Sequence, residues 1–180
     1  MKIEYEYSHL GGAEILRLHY PEIEQEIYNV ISKVQAIKQK ISAEKTTKGR
    51  LLFSPKLMNQ QFKKYFSDLG YKELRDRYDI QIPNYPKVIK GTFKQIDFVK
   101  KDVLIEVQFG KYAFMFYDLA KFQYFFNENK AAVGVEIVPS YDLHKQMSTG
   151  VSYGEQLIYD IERLRRHFPA VPIKVILISD

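Results

Sequence analysis

The chain has 180 residues, 46% hydrophobic and 14% aromatic, which is enough to bury one real core and ordinary for a folded soluble protein. It has no cysteine, which excludes a disulfide framework, a thiol nucleophile and a Cys-type zinc site. A net charge of +5 and a pI near 9.1 suit a partner that carries phosphates.

Residues 22–41 carry Ile23, Ile27, Val30, Ile31, Val34, Ile37 and Ile41 at steps of three and four, the spacing of an amphipathic helix. Glu22, Glu24 and Glu26 crowd its first turns and Lys33, Lys38 and Lys40 its last, which complements the helix dipole. The expected role is scaffold, with dimerisation as the alternative. Residues 44–50 read as a polar, basic loop, either solvated or touching phosphates. A second helix follows. Ser54 is its N-cap, Pro55 its first residue and Gly70 its end, with Leu57, Phe62, Tyr65, Phe66 and Leu69 expected on the buried face.

Residues 71–80 are strand-like, and Pro83 and Pro86 mark an irregular crossing. A β-hairpin is expected over 93–109, an aromatic-rich helix over 113–127 and a buried strand over 132–138. A helix over 154–167 and a last strand over 173–178 complete the series. Strands alternating with helices predict an α/β fold, a mixed sheet with helices packed on its faces. The first residues lack the apolar run of a signal peptide, and no stretch approaches the ~18 apolar residues of a membrane span. The expectation is therefore a cytoplasmic protein with no membrane partner.

The informative stretch is 95–109. A side-chain period of two puts Val103, Ile105, Val107 and Phe109 on one face of a strand and Leu104, Glu106 and Gln108 on the other. If Lys101-Asp102 is a two-residue turn, Lys100 pairs with Val103 and Asp97 falls opposite Glu106, with Cβ atoms roughly 4.5–5.5 Å apart. Two carboxylates that close repel, and burial pushes one toward protonation. A divalent cation between them removes the conflict. Mg²⁺ favours one or two carboxylates, with waters and phosphate oxygens completing its octahedron. The same residues also suit a solvated acidic face, and an Asp-x8-Glu-x-Gln spacing is too loose to choose. His9, His19, His144 and His167 show no metal-ligand spacing.

Asp97, then Glu106, one spacer and Gln108 resemble the PD-(D/E)xK nuclease motif. More narrowly, residues 95–100 and 105–112 are similar to the BglII/BstYI-like type II restriction endonucleases, nearer the BstYI branch. Tyr7-Ser8-His9-Leu10, Leu52-Phe53-Ser54-Pro55 with Leu57, Met58 and Asn59, and Tyr117-Asp118-Leu119 agree as well. So do 133–139 and 147–153, and the resemblance spans nearly the whole chain in one order. Ile96 stands where the broad motif has Pro, and Gln108 where it has Lys. Glutamine can neither donate a proton nor serve as a base. Gln at this place is a feature of the BglII-like group. The chain has fewer residues before the hairpin than BstYI, which bears on contacts to outer bases.

The resemblance implies one endonuclease domain over residues 1–180, with a mixed central sheet flanked by helices. It implies a homodimer on double-stranded DNA and Mg²⁺ as cofactor. Asp97, Glu106 and Gln108 would be catalytic, and Asp97, Glu106 and the Val107 carbonyl would hold the metal. Lys111, Tyr112, Ser148, Thr149 and Gly150 would contact DNA. Lys111 would reach guanine O6 and N7, or a phosphate. The group centres on GATC, so a site such as AGATCT or RGATCY with a 5′ overhang is expected. The alternatives are a structure-specific repair or recombination nuclease on the same scaffold, and a DNA-binding protein without chemistry.

Overall fold

The computed structural model describes every residue except Thr46, which belongs to the expected 44–50 loop, and describes only the backbone of Lys40. The most apolar segments form the middle of the molecule. Strands β6 (Val103–Val107), β7 (Val133–Pro139) and β8 (Ile173–Ser179) are buried along almost their whole length and run parallel. Continuous apolar runs of this kind are what a parallel sheet covered on both faces requires. Three antiparallel partners extend it: β1 (Lys2–His9) on β8, β5 (Val88–Lys100) on β6, and β4 (Lys72–Gln81) on β5. The order is β1-β8-β7-β6-β5-β4. This is the expected mixed sheet.

Alternation along β6 divides the core. Val103, Ile105 and Val107 pack with α2 (Pro21–Lys33) and α3 (Pro55–Asp68), whereas Leu104 packs with α4 (Tyr112–Asn127) and α6 (Gly154–Leu164). The turn between β5 and β6 is Lys101-Asp102, with Lys101 in the left-handed region (φ 52°). Its register is Lys100↔Val103, Val99↔Leu104 and Phe98↔Ile105, as the two-residue turn predicts.

The helix expected over 22–41 ends at Lys33. Val34 is extended, Ile37 and Ile41 are exposed, and Lys38–Ile41 form strand β2 against β3 (Leu51–Phe53). Tertiary partners take over the backbone there. The Gln35 N–H donates to Gln61 Oε1, the Gln61 amide donates back to the Gln35 carbonyl, and the Ser54 N–H donates to the Ile37 carbonyl. Helical bonds are not needed where these groups are otherwise satisfied.

Helix α3 starts as expected, with Ser54 Oγ accepting from the Leu57 N–H and Gly70 just beyond its end at φ 84°. Its buried stripe is Met58, Phe62 and Phe66, at steps of four, while Leu57 and Tyr65 are half-buried and Leu69 is exposed. Strand β5 starts at Val88 rather than at 93 because its first half pairs with β4, not β6. Strand β1, helix α1 (Gly12–His19), the β2–β3 pair and α5 (Tyr141–His144) are not legible in the sequence pattern. Among the described residues no helix is long and apolar enough to cross a membrane.

Candidate active site

The hairpin is paired as far as Phe98↔Ile105, and Asp97 and Glu106 are the next residues of the two strands. Asp97 is not in a regular strand position. On its other side, β5 pairs with β4 as Val99↔Lys72 and then Ile96↔Leu74, so β5 spends three steps where β4 spends two. The extra residue is a bulge at Asp97-Phe98. Ile96 therefore packs on the α4 side and Phe98 on the α3 side, although alternate residues of a regular strand share a face. The bulge leaves Asp97 exposed at the edge of a cavity of ≈ 240 Å³, lined also by Asn59, Lys63, Glu73, Gln95 and Val107.

Glu106 and Gln108 point the other way, toward α4. Glu106 is buried, and Lys121 of α4 donates to its Oε1 at 2.5 Å. The same ammonium lies 2.7 Å from Asp118 Oδ1. Gln108 Nε2 donates to the other oxygen, Asp118 Oδ2, at 3.0 Å. Glu136 of β7 is the register partner of Glu106, is fully buried, and has no hydrogen-bond partner at either oxygen among the described residues. Glu106 and Asp118 thus share one ammonium, and the charge of Asp97, from the other side of the strand, acts on both of them and on Glu136.

Burial, then the Asp118 charge and beyond it Asp97, push the Glu106 carboxyl up to about 8 against the opposing pull of Lys121. Burial also raises Asp118, opposed by Lys121 and by the Gln108 hydrogen bond. Glu136 lies well above the carboxylate range, through burial first and then the charges of Asp118 and Glu106. Burial would lower Lys121, but Glu106 and Asp118 outweigh it and hold it above its ordinary value.

A pocket of negative charge in low dielectric, lined by hard oxygen donors, suits a hard divalent cation. Among the described residues no three His, Cys, Asp or Glu side chains converge as a ready metal cage. A cation held here would complete its octahedron with a backbone carbonyl, waters and substrate oxygens.

The DNA-contact candidates lie at the same edge. Lys111 is exposed and caps α4 in an extended conformation, and Gly110 precedes it. The Ser152 N–H donates to the Gly110 carbonyl at 2.9 Å, which ties the 148–152 loop to the start of α4. Within that loop the Val151 N–H donates to the Ser148 carbonyl, and the Thr149 N–H donates to Glu44 Oε2. Thr149 and Gly150 are exposed and Ser148 is half-exposed. Tyr112 differs from these. It is half-buried against α6, its hydroxyl engaged by Asp160.

Sequence reasoning misses Lys121, and it reaches Asp118 and Glu136 only within matched stretches. The spacing of Asp118 and Lys121 (i,i+3) marks one helix face, but nothing local says that this face covers β6. For Glu136 the signal is a lone acid inside Val-Gly-Val-Glu-Ile-Val.

The family model for restriction endonuclease BglII/BglIII matches residues 5–178. The crystal structure of restriction endonuclease BglII complexed with a DNA 16-mer is similar to this chain with a TM-score of 0.78 and 25% identity, covering 100% of this chain and 79% of that one. Free BglII aligns with a TM-score of 0.68 and 21% identity, covering 100% and 80%, a likeness of fold. No curated protein matches the chain. A family match across almost its whole length, on a shared fold, settles the relationship: the chain belongs to the BglII/BglIII family of restriction endonucleases, type II site-specific deoxyribonucleases.

Proposed function

We propose that the chain is a Mg²⁺-dependent, homodimeric, cytoplasmic endonuclease, one domain over residues 1–180, that cuts double-stranded DNA at a short GATC-centred palindrome such as AGATCT or RGATCY and leaves a 5′ overhang. What supports this reading is the family match together with the placement of Asp97 on β5, Glu106 on β6 and Gln108 just beyond it, next to Lys111 and the 148–150 loop that is tied to the start of α4. A two-fold dimer would read one half-site and cut one strand with each subunit. The solved BglII complex holds DNA, which supports a duplex as the substrate here.

Asp97, Glu106 and the Val107 carbonyl would hold the metal. Bound Mg²⁺ would supply Lewis-acid activation of the phosphate and of a water. Gln108 cannot take up a proton, so its role is to orient: its carbonyl oxygen accepts a hydrogen bond from the attacking water. Lys111, at the start of α4, and the hydroxyls of Ser148 and Thr149, with the Gly150 backbone, would contact bases and phosphates. Tyr112 would act from behind Lys111, since its hydroxyl is engaged with Asp160.

The test is to incubate purified protein with unmethylated plasmid, in Mg²⁺ and in EDTA, and to sequence the fragment ends. Discrete Mg²⁺-dependent fragments sharing a GATC-centred palindrome support the reading. Fragments without a shared sequence favour a structure-specific nuclease, and binding without any cutting in Mg²⁺ or Mn²⁺ favours a protein that does no chemistry.

A further inference from the structure

A glutamine side chain has one acceptor and one donor end of almost equal size, so a half-turn about its last bond exchanges them at little steric cost. For Gln108 that half-turn decides what faces the reacting atoms. The structure resolves it through the neighbours. Gln108 Nε2 donates to Asp118 Oδ2 at 3.0 Å. The other end, Oε1, lies over Gly110, so close that a Cβ there would stand 2.5 Å from it. An ionised carboxylate only accepts, and it therefore selects the amide's NH₂ group.

Asp118 is itself fixed from its other side. Lys121 Nζ lies 2.7 Å from Asp118 Oδ1, which leaves Oδ2 for Gln108. The Asp118 residue is 2% exposed, so water does not compete for it. The chain of contacts runs from Lys121 through Asp118 to Gln108 and ends at a glycine.

We infer that Asp118 is a positioning residue: it holds the Gln108 amide in one orientation, NH₂ inward and carbonyl oxygen toward the reacting water. This deepens the nuclease reading and rests on it. The decisive variant is Asp118→Asn, which preserves shape and volume. The introduced carboxamide has one acceptor, and the Lys121 ammonium, a pure donor, takes it. Its NH₂ group then faces Gln108, whose amide must turn and present its own NH₂ where its oxygen stood.

Two readouts test this. In the metal-free protein, selective ¹⁵N labelling of glutamine gives the side-chain amide resonance of Gln108, assigned by its loss in Gln108→Ala. It is expected to move in Asp118→Asn and to stay in place in a remote surface variant. In single-turnover cleavage at saturating DNA and Mg²⁺, Asp118→Asn and Gln108→Ala are each expected to lower the rate by about 10²-fold, the order found for loss of one oriented polar group. The double variant is expected to be no slower than Gln108→Ala, because a residue that acts only through Gln108 has nothing left to orient.

An unmoved resonance, or rate losses that multiply in the double variant, overturns the positioning role. A wild-type rate in Gln108→Ala overturns the assignment of Gln108 itself and the inference with it. Should the wild type cut no DNA, the nuclease reading falls on that result, while the metal-free resonance still reports separately whether Asp118 sets the amide.

Discussion

Lys121 and Glu106 form a buried ion pair, Nζ to Oε1 at 2.5 Å, with side chains 13% and 4% exposed. The lysine comes from α4 and the glutamate from β6, so the pair joins the central sheet to the helix that follows it. It also puts a positive charge beside the acids assigned to a divalent cation.

Removing that charge leaves the buried Asp118 without its cationic partner and drives Glu106 further toward its protonated form. Breaking one side of a buried pair typically costs about 3–5 kcal/mol. Lys121→Met is therefore expected to lower unfolding stability by that order in EDTA, measured by urea denaturation. In saturating Mg²⁺ the deficit should shrink, because a bound cation replaces the missing charge and stabilises the folded state by mass action. An equal deficit with and without Mg²⁺ would show that no divalent ion reaches these carboxylates.

The raised carboxyl of Glu106 links stability to pH. Its ordinary value is 4.5 and the fold moves it to about 8. The folded protein thus favours the protonated form. Its contribution is fully present below about 4.5 and is lost as pH rises through about 8. Metal-free wild type should lose thermal stability relative to Glu106→Gln as pH rises from 5 to 8.5 in roughly unit steps. Metal uptake near neutral pH should release protons, seen by titration calorimetry in buffers of different ionisation enthalpy. A constant difference between the two proteins across that range would refute the shifted carboxyl.

Much of this site is legible in the sequence because it depends on local order. A two-residue turn fixes the hairpin register from Lys100↔Val103 to Phe98↔Ile105, so the neighbouring strand positions of Asp97 and Glu106 follow from sequence order. What is not legible depends on distant segments. The bulge at Asp97-Phe98 arises from pairing with β4, and Ile96-Asp97-Phe98 carries no mark of it. The helix expected over 22–41 is too long because helical periodicity cannot register that Gln61 and Ser54 capture the backbone at 35–37. Asp118 and Lys121 gain their role only when α4 lies on β6. An aromatic-rich helix of that composition has several candidate faces.

Two glycines make a matched pair of tests. Without relaxation, a Cβ at Gly12 would lie 2.3–2.6 Å from the backbone of Ile173, because α1 rests directly on β8. Neither backbone can step aside cheaply. Gly12→Ala is expected to lower stability by about 1–3 kcal/mol, the cost of overpacking, with little change in the rate of the remaining folded enzyme. A Cβ at Gly110 meets instead Gln108 Oε1 at 2.5 Å, the end of a flexible side chain. Gly110→Ala should displace that amide, lowering the cleavage rate while leaving the denaturation midpoint near wild type. The reverse pattern would mean that the space over Gly110 is not reserved for the Gln108 oxygen.

The strongest demand falls on Asp97 and Glu106 themselves. They differ in surroundings: Asp97 is exposed on its bulge beside the cavity, and Glu106 is buried against Lys121. If both hold the cation, Asp97→Ala and Glu106→Ala should abolish cutting alike, to below ~0.1% of the wild-type rate, the scale expected when metal-supplied charge stabilisation is lost. Specific DNA binding should survive in both, measured with Ca²⁺ in place of Mg²⁺, because recognition is assigned to Lys111 and the 148–150 loop. Stability should separate them. Asp97→Ala removes an exposed acid and should barely move the denaturation midpoint. Glu106→Ala removes one of the two carboxylates paired with Lys121 among the described residues, leaving Asp118, and should lower it in EDTA. Full activity in either variant would remove that residue from the metal site. Loss of binding together with cutting in Asp97→Ala would instead mean that the cavity beside the bulge belongs to recognition.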